Sequence, residues 1–410
     1  MRPALLPLLL LLAAPAAAGE FVPNHLFVCS EGSDLVLEYS PAGEQVWQIG
    51  EGSGLSQPSG LAFGADGLLY VASFGSGRVL VFDGGGNVVR TIGEGSPLAS
   101  PRGVAIGPDG SLYVGNSANG TLEHFASDGT HLATLGAAAG LSTPTDLVFG
   151  ADGHVFVASA GSGRIHELDA GGILVRELGE GSSLVEAVGV ALAPDGRLAI
   201  STGAAATVVM LDATGAQVGE IDAGGALAGA SGLAFGPDGN LYVMAAGGAG
   251  IVVVDPAGAV VRTLAATQNL ASGTAVAFSP RRFPVTVKAT LQLADGAPQA
   301  VDATGTLSLF AGSSSALLQL AESELASSFG AAFALRGSTG GGADIKSRRL
   351  GASARTVDEA GPAFAAIAAQ VTGDDDALGL WLPASAKGDV WGGGAAGSFR
   401  GTFKTGKALP

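Results

Sequence analysis

Four side chains in this chain of 410 residues combine a reactive type with an unusual position: Arg102, Asn116, Asp146 and Glu31. Arg102 and Asp146 could anchor the charged groups of a ligand, or pair with each other as a structural ion pair, since such pairs also occupy positions without function. Glu31 and Asn116 add oxygen donors of the kind that, with Asp146, a bound cation would need. A solvated loop carboxylate is the plainer account of Glu31. The histidines do not suggest a metal set: His124, His131 and His166 fall on third or fourth strands of the repeat described next, His154 on a second strand, and His25 just before one. No Gly-x-Ser-x-Gly elbow supports a serine nucleophile. Cys29, the single cysteine, cannot form an internal disulfide and reads as a small buried residue; a reactive or intermolecular thiol is the other reading.

These positions are unusual because the elements around them repeat. A block of about 43 residues restarts at Pro58, Pro101, Pro144, Ala187 and Ser231. Each copy carries an Asp-Gly pair at the same place, such as Asp66-Gly67 and Asp238-Gly239. The block holds four short apolar runs divided by turn residues, for example 103–107, 112–115, 121–125 and 131–136. Runs of this length fit strands and are too short for helices. Asp-Gly suits tight hairpins. Four antiparallel strands per block make a propeller blade. The run 26–29 aligns with 69–72, so the chain enters partway through a blade, and 273–278 supplies that blade's missing innermost strand. The expected fold is therefore all-β: a six-bladed β-propeller closed by pairing of N- and C-terminal strands, which leaves no free sheet edge in the ring. Within it, Asp146 stands where the other copies have Gly60, Gly103, Gly189 and Gly232, and Arg102 is the only charge in the ring of Ser59, Thr145, Val188, Ser231 and Thr274. Asn116 belongs to a second ring with Ser30, Ser73, Ser159, Thr202 and Ala245. Arg102 and Asp146, in neighbouring blades, are expected near one another at the channel mouth.

The blocks resemble NHL repeats over roughly residues 24–280. The shared features are the Pro-x-Gly-φ-Ala opening at Pro58, the Gly-x-Asp-Gly turn, the Tyr70-Val71-Ala72 strand, and the Arg-led strand ending in Asp at Arg78 and Arg164. The resemblance implies a six-bladed propeller with ligands at one face of the channel. It would also put Asp in the second ring, and no copy here does so. Related propeller enzymes of the gluconolactonase, streptogramin-lyase and amidating-lyase types hold a cation or histidine ligands near the channel. This chain has the residue types in Glu31, Asn116 and Asp146, without an alignable motif.

Residues 1–18 read as a secretory signal peptide, with Arg2, the apolar run Leu5–Leu12, and Ala16-Ala17-Ala18 before the cleavage point. Eight apolar residues are too few to span a bilayer. The expected domains are thus 1–18 signal peptide, 19–283 propeller and 284–410 a β-rich sandwich or barrel, and the expected location is extracytoplasmic, secreted or periplasmic. In the last region Pro284–Leu293 alternates strictly, 304–310, 331–335, 363–371, 378–382 and 398–403 also read as strands, and 315–328 as a strand pair or a short helix. Gly337–Asp344 lacks the Lys-Ser/Thr of a phosphate loop. Asp374-Asp375-Asp376 lacks the spaced ligands of a calcium loop, so the cluster offers Ca²⁺ little more than a solvated turn does, and no cofactor is assigned.

A net charge of −16 argues against nucleic acid, whose phosphates need Lys and Arg. The wealth of Gly and Ala fits a GC-rich bacterial genome. Three functions fit: a non-enzymatic scaffold binding a protein, peptide or glycan on one propeller face, without membrane insertion after signal cleavage; a cation-dependent hydrolase or lyase of the gluconolactonase or streptogramin-lyase type; and a structural cell-surface protein.

Overall fold

The computed structural model describes residues 20–293 except 108–109, 151–152, 194, 204, 246, 248–249 and 265–268, together with 299–309, 315–320, 332–336, 350–357, 364–373, 387–394 and 397–405. Beyond residue 280 the description is of the backbone. The signal-peptide reading, the Gly337–Asp344 loop, the 378–382 strand and the Asp374–Asp376 cluster lie outside these residues.

Six four-stranded antiparallel sheets form a ring. The innermost strands are β4 (Pro58–Phe63), β8 (Pro101–Ile106), β12 (Pro144–Phe149), β16 (Ala187–Leu192), β20 (Ala230–Phe235) and β24 (Gly273–Phe278), numbered with all strands in chain order. The fifth begins at Ala230, one residue before the sequence reading put it. Closure is by β24, which pairs with β1 (Leu26–Ser30) through Leu26↔Phe278, Phe27↔Ala277 and Val28↔Val276, ahead of β2 (Leu35–Tyr39) and β3 (Gln45–Ile49). That sheet is blade one, and the blade containing β4 is blade two.

The cores lie between blades rather than within them. Phe27, Cys29 and Val36 of blade one pack with Leu61, Phe63, Val71 and Leu80 of blade two. Their neighbours Leu26, Val28 and Leu37 face the other way, onto Tyr242, Met244 and Ile251 of blade six. Side chains alternate sides along a strand, and both sides are covered, so the inner strands read as continuous apolar runs. Each fully buried Leu, Val or Phe contributes about 1.5–3 kcal/mol. The outermost strands have one side open, and their repeated Val46, Val89, Leu132, Val175, Val218 and Val261 remain exposed.

The glycines on the innermost strands have a steric cause. A Cβ on Gly103 would lie 2.6 Å from Asp146 Cα in the next blade, and one on Gly232 would lie 2.5 Å from Ala275 Cα. Neighbouring inner strands approach so closely around the channel that a side chain here must displace backbone.

The C-terminal strands, among them β28 (Ala332–Arg336) and β32 (Gly397–Thr405), form a closed eight-stranded barrel in the order β25-β26-β27-β28-β31-β32-β29-β30. Its first strand, β25 (Arg281–Leu293), pairs with β26 (Gln299–Leu309) and β30 (Phe364–Gly373). Ser315–Leu320 is a strand, β27. Strands β29 (Leu350–Val357) and β31 (Lys387–Gly394) were not foreseen: Gly or Ala takes three of the eight positions in the first and Gly four of the eight in the second, and neither type marks a strand.

Candidate functional site

Most of the two sequence-defined rings is used to hold the propeller together. In the strand-start ring, hydroxyls reach across to the first carbonyl of the next inner strand. Ser59 Oγ donates to Pro101 O (2.9 Å), Thr145 Oγ1 to Ala187 O (3.2 Å), Ser231 Oγ to Gly273 O (3.1 Å) and Thr274 Oγ1 to Pro58 O (2.9 Å). Arg102 and Val188 carry no hydroxyl and make no such latch.

In the second ring, buried polar groups fix the loop that enters the same blade's inner strand. Ser73 Oγ accepts from Ser56 N (2.9 Å) and donates to Ser56 O (3.0 Å); Ser159 repeats this with Ser142. Asn116 performs the same task. Its Oδ1 accepts from Ala99 N, and its Nδ2 donates to Pro97 O and to Glu123 Oε1, each at 3.0 Å. The residue is fully buried. These loops end in residues with left-handed backbone, Gln57 (φ 49°), Ser100 (59°), Thr143 (52°) and Ser272 (52°), each of whose carbonyls accepts the amide just past a second strand. Non-glycine residues pay about 1–3 kcal/mol for this conformation, so the rim is a strained, tightly tied structure.

Glu31 opens a short 3₁₀ turn, and its amide donates to Ser272 O (3.1 Å). Its counterpart in blade two is Phe74, whose amide donates to Gln57 O.

Asp146 leans forward, from blade four to blade five. Its Oδ2 accepts from Val190 N (3.0 Å) and its Oδ1 from Leu147 N (2.9 Å). The side chain keeps partial solvent exposure although protein surrounds it, the combination expected on a channel wall. Burial pushes its pKa up to about 7, and the two backbone N–H groups offset only part of that. Asp146 is therefore a pin between inner strands at the one glycine-ring position with a carboxylate.

Arg102 leans backward, onto blade two. Its guanidinium carbon lies 4.6 Å from the centroid of the Phe74 ring. Its Nε is buried without a hydrogen-bond partner. The expected meeting of Arg102 and Asp146 does not occur. The Val190 and Leu147 amides hold the carboxylate on the side of the following blade, while Phe74 holds the guanidinium on the side of the preceding one.

The other polar groups form structural sets. Fully buried Glu123, on β10 (Thr121–Phe125), accepts from Asn116, Thr121 Oγ1 (3.0 Å) and Thr134 Oγ1 (2.7 Å), and lies 2.9 Å from His131 Nε2. Burial alone would raise its pKa, but these bonds hold it below the usual range. His25 Nδ1 lies 2.5 Å from Glu38 Oε1, and His154 Nδ1 2.7 Å from Glu167 Oε1. His154 precedes its strand, matching His25. Among the described residues no three His, Cys, Asp or Glu side chains are grouped to hold a metal. Asn116 and Asp146 spend their oxygens on backbone N–H groups and are not offered to a cation.

Sequence reading missed Phe74 and Glu123. Both could have been found as the other departures were. A phenylalanine at 74 interrupts a series of Ser117, Ala160 and Gly203, and Glu123, like His166 after it, interrupts Leu37, Leu80, Val209 and Val252.

Ring closure and blade count define the class, a six-bladed β-propeller. No family model matches the chain, and no curated protein does. Solved structures share the fold. One is a chain in the crystal structure of a nidogen/laminin complex, with TM-score 0.53 and 16% identity over 62% of this chain and 98% of that one. Another is streptogramin B lyase, with TM-score 0.50 and 15% identity over 64% and 92%. A third is a protein of unknown function from Bacteroides caccae, with TM-score 0.50 and 16% identity over 62% and 98%. At such identities the likeness is one of fold, and it includes both a catalyst and a partner in a protein complex.

Proposed function

We propose that the protein is an extracytoplasmic binding scaffold of NHL-repeat type. It holds a protein, peptide or glycan ligand at the propeller face where the innermost strands begin. One observation carries the reading: on a rim whose polar groups are mostly spent on latches, Arg102 is held in place with its guanidinium hydrogen bonds unspent. A long cation fixed against an aromatic ring without an acceptor is suited to a ligand's anion. The rim around it is rigid, so the site needs little ordering on binding.

The hydrolase or lyase alternative would draw on Asp146, whose pKa near neutrality suits proton transfer. Both its oxygens, however, accept backbone N–H groups and are not offered to a substrate. The scaffold reading is tested by probing glycan and peptide arrays with the full secreted chain, then recovering the bound compounds for mass spectrometry. Intact ligands are expected. Conversion of the ligand, or stoichiometric Ca²⁺ or Zn²⁺ that is lost on Asp146→Ala, would overturn the reading in favour of an enzyme.

A further inference from the structure

We infer that the group received at Arg102 and Phe74 is the C-terminal carboxylate of a peptide whose last residues are neutral or basic; this rests on the scaffold reading. The guanidinium lies over the Phe74 ring, with 4.6 Å from the guanidinium carbon to the ring centroid. Nε is enclosed beyond a ligand's reach, and neither Nη makes a hydrogen bond among the described residues, so Nη1 and Nη2 are the donors left for a ligand. A planar fork of N–H donors matches a carboxylate, two oxygens to two N–H groups, better than it matches a hydroxyl or an amide.

The choice of a single terminal carboxylate follows from charge. The chain carries a net charge of −16. A polyuronate or an acidic peptide tract would bring many anions to that field to satisfy one guanidinium. A neutral or basic segment ending in one carboxylate places its only anion on Arg102 and leaves the rest of the peptide attracted or indifferent. The position suits an end of chain, because Arg102 sits in the strand-start ring at one mouth of the channel. Its nearest ring neighbour on the Phe74 side, Ser59, is latched to Pro101 O and Arg102 O and takes no part in recognition.

The test uses the full secreted chain and a display library of random octapeptides with free C termini. Selected peptides are resynthesised as acids and as C-terminal amides and measured by fluorescence anisotropy. Amidation is expected to weaken binding at least tenfold, and Arg102→Met to do the same for the acid. Met keeps an apolar stem against Phe74, and an unchanged thermal midpoint shows that the variant is folded. The two losses should not add: the amide should bind wild type and R102M alike. Arg102→Lys should recover only part of the loss, since an ammonium cannot form the fork. Equal binding of acid and amide, full binding by R102M, or a library that yields no carboxylate-dependent peptide overturns the inference. A preference for oligoglucuronate over the peptide acids overturns the peptide assignment. In each case intact ligands found on the arrays would leave the scaffold reading standing, and their conversion to products would remove it separately.

Discussion

Replacing Asp146 by asparagine should abolish a pH dependence of stability that its carboxyl imposes on blades four and five. In the folded chain burial pushes this pKa up to about 7, against the pull of the Val190 and Leu147 amides. An unfolded aspartate titrates near 3.9. Between the two values the native state holds a proton that the unfolded chain has released. The stability contributed by the protonated pin is therefore complete below about pH 4 and is lost as pH rises through about 7, at about 1.4 kcal/mol per pH unit and about 4 kcal/mol in all. Asparagine fills the same space, offers an oxygen to Val190 N, and does not ionise. Urea unfolding of the two full chains, followed by far-ultraviolet circular dichroism at pH 4.5, 6.0 and 7.5, isolates the term, since every other titrating group cancels in the difference. D146N should gain on wild type by about 3 kcal/mol from pH 4.5 to 7.5. A difference that stays constant with pH would refute the reasoning, because it would mean that water reaches the carboxyl freely and that no pin is enclosed between β12 and β16.

Glu123 has the opposite sign. Its bonds hold the folded pKa below the unfolded value of about 4.3, so its contribution is full above that pH and is lost as pH falls through the folded value. Glu123→Ala strands the Asn116, Thr121, Thr134 and His131 groups and should cost about 3–5 kcal/mol at pH 7 by urea unfolding; a loss under about 1 kcal/mol would remove the network from the stability account. Gly103→Ala should cost about 1–3 kcal/mol or more, because its Cβ would meet Asp146 Cα at 2.6 Å, whereas Gly219→Ala, whose nearest neighbour would be Met210 Cβ at 3.7 Å, should be neutral or stabilising by thermal unfolding.

The fold was legible because the repeat reports backbone requirements. Pro58, Pro101 and Pro144 start inner strands, where no ladder N–H is needed, and the glycines at 60, 103, 189 and 232, each the third residue of its strand, mark close approach between blades. The barrel was less legible, since its Gly- and Ala-rich strands at 350–357 and 387–394 carry little apolar alternation. The candidate site was legible only as a set of exceptions. Departure from periodicity picked out Arg102 and Asp146, and the same rule applied to every position would have added Phe74 and Glu123. It could not say which exceptions do what. Asn116 and Asp146 have the residue types of cation ligands, and folding assigns both to backbone N–H groups.

The sequence by itself determined the six blades, their phase and the closing strand, because these follow from period-two alternation and turn chemistry that recur within each block. Only the tertiary structure decided which polar groups are spent and which are left over. Ser59 and Arg102 occupy the same ring, yet one hydroxyl reaches a neighbouring carbonyl while the guanidinium finds Phe74 and no acceptor. That outcome depends on distances between blades, between residues far apart in the chain, and no local pattern records them.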